Sequence, residues 1–141
     1  MYYEKRNMAA VDSLCPKARE KFMLAYRDCN IHGLNFLVVQ GYRSSFQQNL
    51  DYGKGRWLPG RIVTNAKGGW SLHQYRVAFD FAPEWQGKLH YEDAAAIAKI
   101  ASIFKNHGWE WGGDWPGFKD SLHLQFTEGH DINWFRAGNL L

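Results

Sequence analysis

Apolar residues recur along the chain with two periods, and these periods predict both helices and strands. From Pro16 to His32 they recur every three to four positions, which predicts a helix, and Gly33 follows as its stop. The clearest helix is predicted from Glu92 to His107, where acidic residues stand at the start and an apolar stripe leads to a terminal glycine.

A short helix and a long loop are predicted in the first half of the chain. The helix runs from Ser44 to about Tyr52, because Ser44 and Gln47 form the sequence pattern of a capping box. Residues 53–70 then form a loop with five glycines and one proline, in which 62–64 is a strand candidate. A loop this long in a compact domain is usually functional or disordered.

Four short runs have the apolar or alternating composition of strands, at 36–39, 77–82, 109–111 and 122–126. They interleave with the predicted helices without the regular βαβ repeat of a doubly wound sheet. We therefore expect an α+β fold, with helices packed on one face of a small antiparallel or mixed sheet.

Alternation along two of these strands exposes polar groups that can hold a metal. Asp80 and His123 each face away from the large apolar residues of their own strand, so they converge if the strands are neighbours. His73 precedes Asp80 by seven positions and can fold over the same face. Three protein ligands and one open position are typical of catalytic zinc. The spacing leaves open that the histidines are packed or surface residues and that Asp80 is a hydrogen-bonded turn acceptor.

Other polar residues are candidates for chemistry around such a metal. Asp120 precedes His123 by three positions and is placed to act as a general base, with a plain turn residue as the alternative. Glu110 is a second base candidate or a surface carboxylate. Arg43, in a tight strand-to-helix turn, is a candidate clamp for a substrate carboxylate or carbonyl, or a solvated charge. Four further histidines are weaker candidates: His32, His90, His107 and His130.

Composition narrows the class of protein. The 141 residues are 45% hydrophobic and 22% charged, so one folded domain spanning 1–141 is expected. The longest apolar run, Ala94–Ala98, is too short to cross a membrane, and the first residues lack the apolar core of a secretory signal. The net charge of +3 comes from scattered basic residues, so no nucleic-acid partner is expected. Cys15 and Cys29 are expected to be free, mostly buried thiols.

Several ordered motifs together resemble the zinc D-Ala-D-Ala carboxypeptidases and dipeptidases. More narrowly, they look like the phage endolysins that are L-alanyl-D-glutamate peptidases. The motifs are Ser71-x-His73, Ala78-x-Asp80, Asp120-x-x-His123, the turn 41–44 with Gln47, residues 63–66 and the segment 109–115. The resemblance covers most of the chain. It implies a Hedgehog- and D-Ala-D-Ala-peptidase-like α+β fold, Zn²⁺ as cofactor, and His73, Asp80 and His123 as its ligands.

The same resemblance implies roles for the residues around the metal. Asp120 matches the catalytic acid/base position, and Arg43 matches the arginine that orients substrate and stabilises a developing oxyanion. Ser71 and Gln47 match positions that support the ligands or the substrate. One departure is Arg76, which stands where many relatives carry glycine. A side chain there is expected to crowd the loop or to add a cation near the site.

The implied activity is hydrolysis of the L-Ala–D-Glu bond of peptidoglycan stem peptides, leading to lysis of a bacterial host. The protein is then expected to be a monomer without membrane insertion. It is expected to accumulate in the host cytoplasm and to reach the wall after a separate protein permeabilises the membrane. The alternatives are a D-alanyl-D-alanine carboxypeptidase or dipeptidase of the same fold, and a non-catalytic zinc module.

Overall fold

The computed structural model describes residues 1–141. Its helices are α1 (Glu4–Val11), α2 (Pro16–Ile31), α3 (Ser45–Gly53), α4 (Ala94–Lys105) and α5 (Ile132–Arg136). Its strands are β1 (Asn35–Gln40), β2 (Ala78–Trp85), β3 (Lys88–Leu89), β4 (Glu110–Trp111) and β5 (His123–Gln125). Two short 3₁₀ helices cover Leu72–Tyr75 and Gly112–Asp114.

The strands form one antiparallel sheet in the order β1-β2-β5-β4, with β3 paired to the far end of β2. Helices α2 and α4 contact each other, and their buried residues join those of the sheet in one core. The expected α+β class is confirmed, and the sheet is purely antiparallel. The metal-ligand candidates lie on the face of the sheet away from this core.

Aromatic side chains dominate the core and fix which face of the sheet is buried. Phe79 of β2 packs with Phe22 of α2, Phe104 of α4 and Trp109, with ring centroids 5.0–5.2 Å apart. Phe81 packs with Phe79 and with Phe36 of β1 at 6.3 and 6.0 Å. Edge-to-face pairs of this kind add stability beyond the burial of their area. Since side chains alternate along a strand, burying these phenylalanines turns Asp80 to the other face.

The first helix, α1, was absent from the sequence prediction because its apolar stripe is weak. It is held instead by Asn7, which is fully buried against the edge strand β1. The Asn7 amide donates to the carbonyl of Phe36 at 2.8 Å, and its oxygen accepts from the amide of Val38 at 2.8 Å. The side chain thus satisfies backbone groups that the outer edge of a sheet otherwise leaves open. The five-residue α5 was also absent from the prediction.

The structure corrects three local predictions. Residues 62–64 form no strand. The β-type pairing in this loop is one isolated bridge between Lys54 and Leu58. Ser44 caps α3 by accepting from the amide of Gln47, but the Gln47 side chain bonds Asp51, so the capping box is not reciprocal. The strand predicted over 77–82 continues to Trp85.

Both cysteines are free thiols, as predicted. Cys15 is half-buried immediately before α2, whereas Cys29 is fully buried near the end of that helix. Burial, with a smaller contribution from the charge of Asp28, raises the pKa of the Cys29 thiol to about 12. No helix in the structure combines the length and apolar character that a membrane span needs.

Candidate metal centre

Three predicted ligands converge on the solvent-facing side of the sheet. Asp80 and His123 are direct partners across the β2–β5 ladder, and His73 comes from the 3₁₀ helix before β2. The Asp80 carboxylate lies 3.1 Å from Nδ1 of His123 and 3.3 Å from Nε2 of His73. One donor atom from each residue falls within 4.8 Å of the others. This spacing suits three ligands that surround one ion.

The outer nitrogen of each imidazole is held by a neutral acceptor. Nδ1 of His73 lies 2.8 Å from the carbonyl oxygen of Gly41, and Nε2 of His123 lies 2.9 Å from Oε1 of Gln125. Each acceptor selects the tautomer whose free nitrogen points at Asp80. Hydrogen bonds of this kind commonly orient metal-binding histidines. Gln125 lies two positions after His123 in β5, so the alternation of the strand places both on the same face.

Ser71 fixes the short helix that carries His73. Its hydroxyl accepts from the amide of His73 at 3.3 Å, while the Gln74 side chain accepts from the amide of Ser71 at 3.0 Å. This reciprocal capping box satisfies the open end of the 3₁₀ helix. The predicted neighbour of the first ligand therefore contacts the ligand's backbone.

Electrostatics in the centre favour an anionic Asp80. Burial alone would raise the pKa of this carboxyl. When the imidazoles of His123 and His73 are protonated, their hydrogen bonds to the carboxylate and their charges outweigh burial and hold the pKa of Asp80 below its ordinary value. For His123, burial lowers the pKa, but its hydrogen bond to Asp80 and the Asp80 charge raise it overall. A carboxylate between two imidazoles is a donor set that suits zinc.

Asp120 lies on the rim of the same pocket. Burial and the charge of nearby Asp80 raise the pKa of the Asp120 carboxyl, and the charge of His123 opposes this only in part. The amide of Asp120 donates to the carbonyl of Gly112 at 3.0 Å. A Cβ at Gly112 would overlap the Asp120 carbonyl oxygen. Only glycine therefore allows the two backbone segments to approach this closely.

Arg43 reaches the pocket from the turn after β1. Its Nη2 lies 4.0 Å from Asp80, and its Nε lies 3.8 Å from Asp51. Its Nη1 donates to Oε1 of Gln48 at 2.9 Å. The backbone amide of Arg43 donates to the carbonyl of His73, so the turn is tied to the ligand helix. The guanidinium is thus held by side chains on two sides before any substrate binds.

The sequence analysis selected Gln47, but the structure places its neighbour Gln48 at the pocket. Gln47 is exposed and contacts Asp51, whereas Gln48 is 1% exposed and lines the cavity. Besides accepting from Arg43, the Gln48 amide donates to the carbonyl of Ala66 at 2.8 Å. The capping position of Gln47 is a local signal, whereas the burial of Gln48 depends on packing against the loop.

The cavity around these groups has a volume of ≈ 800 Å³. Its walls come from the long loop, the 3₁₀ helix before β2 and the segment 115–120. Apolar and aromatic side chains line part of it: Ile62, Val63, Trp70, Leu72, Trp115, Phe118 and Ile132. Two tryptophans, Trp70 and Trp115, therefore border the cavity, and the long loop forms one wall.

Arg76 neither crowds the pocket nor adds charge to it. Its backbone has φ 63°, in the left-handed region where glycine is favoured. This conformation explains why glycine suits the position. The guanidinium lies 3.9 Å over the Tyr42 ring and donates to the carbonyl of Ser13, away from the cavity. The expected crowding or added charge is therefore wrong.

The weaker histidine candidates and Glu110 lie outside the cavity. Glu110 is exposed at the sheet edge and accepts from Thr127. His32 bonds the carbonyl of Asp28 near the end of its helix, whereas His107 contacts the Asp28 carboxylate. The other two histidines stack on tryptophans: His90 on Trp85 and His130 on Trp134.

The fold and the site together define an α+β protein in which two histidines and one aspartate meet at an open pocket. Residues 64–126 match the sequence family described as D-alanyl-D-alanine carboxypeptidase. This segment, a little under half of the chain, is therefore similar to that peptidase family.

Two relatives share recognisable sequence. The peptidoglycan L-alanyl-D-glutamate endopeptidase CwlK of Bacillus subtilis (strain 168) is 36% identical over 108 residues, 66% of this chain and 61% of that protein. The L-alanyl-D-glutamate peptidase of Listeria phage A118 is 30% identical over 146 aligned positions, 97% of this chain and 47% of that protein. The chain thus spans about half to three fifths of the length of these relatives.

A solved structure supports the fold. The crystal structure of the Serratia marcescens L-Ala D-Glu endopeptidase ChiX superposes with a TM-score of 0.66 and 23% identity, over 86% of each chain.

Proposed function

We propose that this chain is a zinc-dependent peptidase that hydrolyses the L-Ala–D-Glu bond of peptidoglycan stem peptides. The observation that carries the proposal is the convergence of His73, Asp80 and His123 with Asp120 and Arg43 around one pocket. The names of the two sequence relatives supply the bond and the polymer.

The donor set fits zinc because two imidazoles, each oriented through its outer nitrogen, flank one carboxylate. When bound by His73, Asp80 and His123, zinc supplies Lewis acidity that polarises a carbonyl and makes water a stronger acid. These three residues would hold the ion on the side of the sheet that opens to the cavity, where substrate and water have access.

Asp120 acts in this proposal as the general base and then the general acid. It accepts a proton from the attacking water and returns it to the amine that leaves, so no net proton is lost. Its raised pKa suits both steps, because a carboxyl that ionises closer to neutral pH is a stronger base and a usable acid.

Arg43 binds the oxygen that becomes negative as the amide carbonyl is attacked. Donors already in place cost no reorganisation at the moment of reaction. Gln48 provides that order by accepting from the guanidinium, so it is a positioning residue. Ser71 and Gln74 do the same for the backbone of His73. Gln47 reaches Arg43 only indirectly, because its side chain donates to Asp51, which lies 3.8 Å from Nε of Arg43.

A second candidate function is removal of D-Ala from the stem end. The family description, D-alanyl-D-alanine carboxypeptidase, favours it. The metal ligands and Asp120 serve either bond equally, since both reactions hydrolyse an amide. The two functions differ in product: one frees the amino group of D-Glu, and the other releases free D-Ala.

We further propose that residues 1–141 act as one monomeric catalytic domain that lyses a bacterial host. It would accumulate in the host cytoplasm and cleave the wall after a separate protein permeabilises the membrane. Expression alone should leave cells intact, and added permeabiliser should trigger lysis. Prompt lysis without the permeabiliser would contradict this route.

The test is digestion of purified peptidoglycan with labelling of newly freed amino groups. We expect new N-terminal Glu, loss of activity with a chelator, and recovery with zinc. Asp120→Asn should lower kcat by at least about 10²-fold while zinc content stays at one per chain. Asp114→Asn is the matched control, because Asp114 is exposed and pairs with Lys105 outside the cavity. Release of free D-Ala without new N-terminal Glu would support the second candidate function, removal of D-Ala from the stem end. No freed amine from zinc-loaded protein would refute both.

A further inference from the structure

A second cavity lies at the far end of β2 from the metal centre. Its volume is ≈ 550 Å³. Its lining, which we call the aromatic platform, consists of Trp85, His90, Tyr91, Glu92 and Asp93. Five steps of extended strand separate Trp85 from Asp80, or about 17 Å. The platform shares no residue with the catalytic cavity.

Trp85 is held in one orientation by its neighbours. The His90 ring stacks on the indole with centroids 3.5 Å apart and planes 4° apart. The indole N–H donates to Oδ2 of Asp93 at 3.2 Å, and Nε2 of His90 lies 3.2 Å from the carbonyl of Trp85. Because the ring is already ordered, a ligand that packs on it does not incur the usual entropy cost of ordering a side chain.

The platform presents apolar ring surface beside hydrogen-bond acceptors. Trp85 and Tyr91 remain 47% and 51% exposed, although both are large aromatic residues. Glu92, Asp93 and Tyr91 line the same cavity and offer hydrogen-bond acceptors. Asp93 already accepts from the Trp85 indole and from the amide of Ala96. No Lys or Arg lines the cavity.

This combination matches the chemistry of a neutral sugar. One face of a pyranose ring carries only C–H groups and packs on an aromatic ring, while its hydroxyls donate to carboxylates. An anionic ligand would meet two carboxylates and no Lys or Arg, so it is disfavoured. A purely apolar ligand would offer no hydrogen-bond donor to the Glu92 carboxylate beside it.

We propose that the aromatic platform binds a neutral N-acetylhexosamine chain, the glycan strand of the polymer whose peptides enter the catalytic cavity. The inference rests on the proposed function, because that function supplies a substrate in which peptide and glycan are covalently joined. Two sites that hold one polymer raise the effective concentration of peptide at the metal centre. The platform therefore favours cleavage in the intact wall over cleavage of free peptide.

The first test compares two substrates, intact sacculi and a soluble stem peptide without sugar. Trp85→Ala should lower the rate on sacculi about tenfold, the loss expected for one aromatic stacking contact, and leave the rate on soluble peptide unchanged. Tyr91→Ala should also lower the rate on sacculi and leave the rate on soluble peptide unchanged. Because Tyr91 is exposed, this variant replaces Trp85→Ala in the test if Trp85→Ala folds poorly. Trp57→Ala is the matched control, since Trp57 is 65% exposed and lies outside both cavities. An unchanged ratio of the two rates in both platform variants would overturn the proposal.

The second test needs no activity and so separates this inference from the proposed function. A tetramer of N-acetylglucosamine is titrated into zinc-loaded protein while backbone amide shifts are recorded. We expect shifts confined to residues 85–93, lost in Trp85→Ala and largely kept in Trp85→Phe, which preserves a ring. Absence of shifts in the wild type refutes the platform even if the enzyme cleaves peptide. Shifts at the platform in a protein that cleaves nothing would refute only the proposed function.

Discussion

Replacing Gln48 by leucine should disable the pocket, whereas the same change at Gln47 should be tolerated. The Gln48 amide oxygen accepts from Nη1 of Arg43 at 2.9 Å, and its nitrogen donates to the carbonyl of Ala66 at 2.8 Å. Weaker contacts reach Gln74 and Thr64 at 3.3 and 3.4 Å. One buried side chain thus joins the arginine, the ligand helix and the loop wall.

The magnitude follows from the groups left without partners. Leucine has a similar volume but offers neither donor nor acceptor, so the Arg43 nitrogen and the Ala66 carbonyl each lose a hydrogen bond. Each such group costs about 1–3 kcal/mol, which gives a fall of about 3 kcal/mol in the free energy of unfolding. For a chain of this size Tm should drop by roughly 10 °C. A displaced Arg43 no longer meets the developing oxyanion, so kcat should fall by about 10²-fold.

Gln47→Leu removes one hydrogen bond on an exposed helix face, and its free energy of unfolding should change by less than about 0.5 kcal/mol. The assays are thermal unfolding and peptide hydrolysis below the Tm of each variant. Gln48→Glu keeps an acceptor for Arg43 and should recover part of kcat, which a general loss of stability would not allow. Equal kcat in Gln48→Leu and Gln47→Leu would refute the positioning role.

Four further outcomes are expected from three other parts of the structure. Gly112→Ala should displace Asp120 and lower kcat by about 10²-fold with zinc still bound; a full-rate variant would show that Asp120 is placed by other contacts. Arg76→Gly removes the strain of a left-handed backbone, about 1 kcal/mol, but it also removes the contact of the guanidinium with Tyr42. Because the two effects oppose each other, the free energy of unfolding should change by less than about 1 kcal/mol, and activity should not change. Alkylation at pH 8 should modify Cys15 in the native protein and Cys29 only in denaturant, as mass spectrometry would reveal. Since the raised pKa of Cys29 keeps its thiol protonated in the fold while the unfolded thiol ionises near pH 9, the free energy of unfolding should also fall as pH rises from about 9 towards 12. A Cys29→Ala variant that loses stability equally over that range would show another group to be responsible.

Much of the fold was predictable because helices and strands leave local periods in the sequence. The apolar stripe of α4 and the alternation in β2 and β5 gave those elements and their buried faces. The absence of α1 and α5 from the prediction has the opposite cause. The buried Asn7 holds α1 through a contact with β1 that no local pattern encodes. Likewise 62–64 has strand-like composition, but no neighbouring strand is available to it.

The polar face of the site was accessible from local sequence, since a period of two places Asp80 opposite to Phe79 and Phe81 in any strand. Long-range pairing decided the rest. The β2–β5 register sets Asp80 across from His123, and the Gly41 carbonyl turns His73 towards them. These contacts join residues far apart in the chain, so they arise only when the core closes. Packing of the core also decides that Gln48, and not Gln47, lies at the pocket. It likewise brings together the residues of the aromatic platform around Trp85.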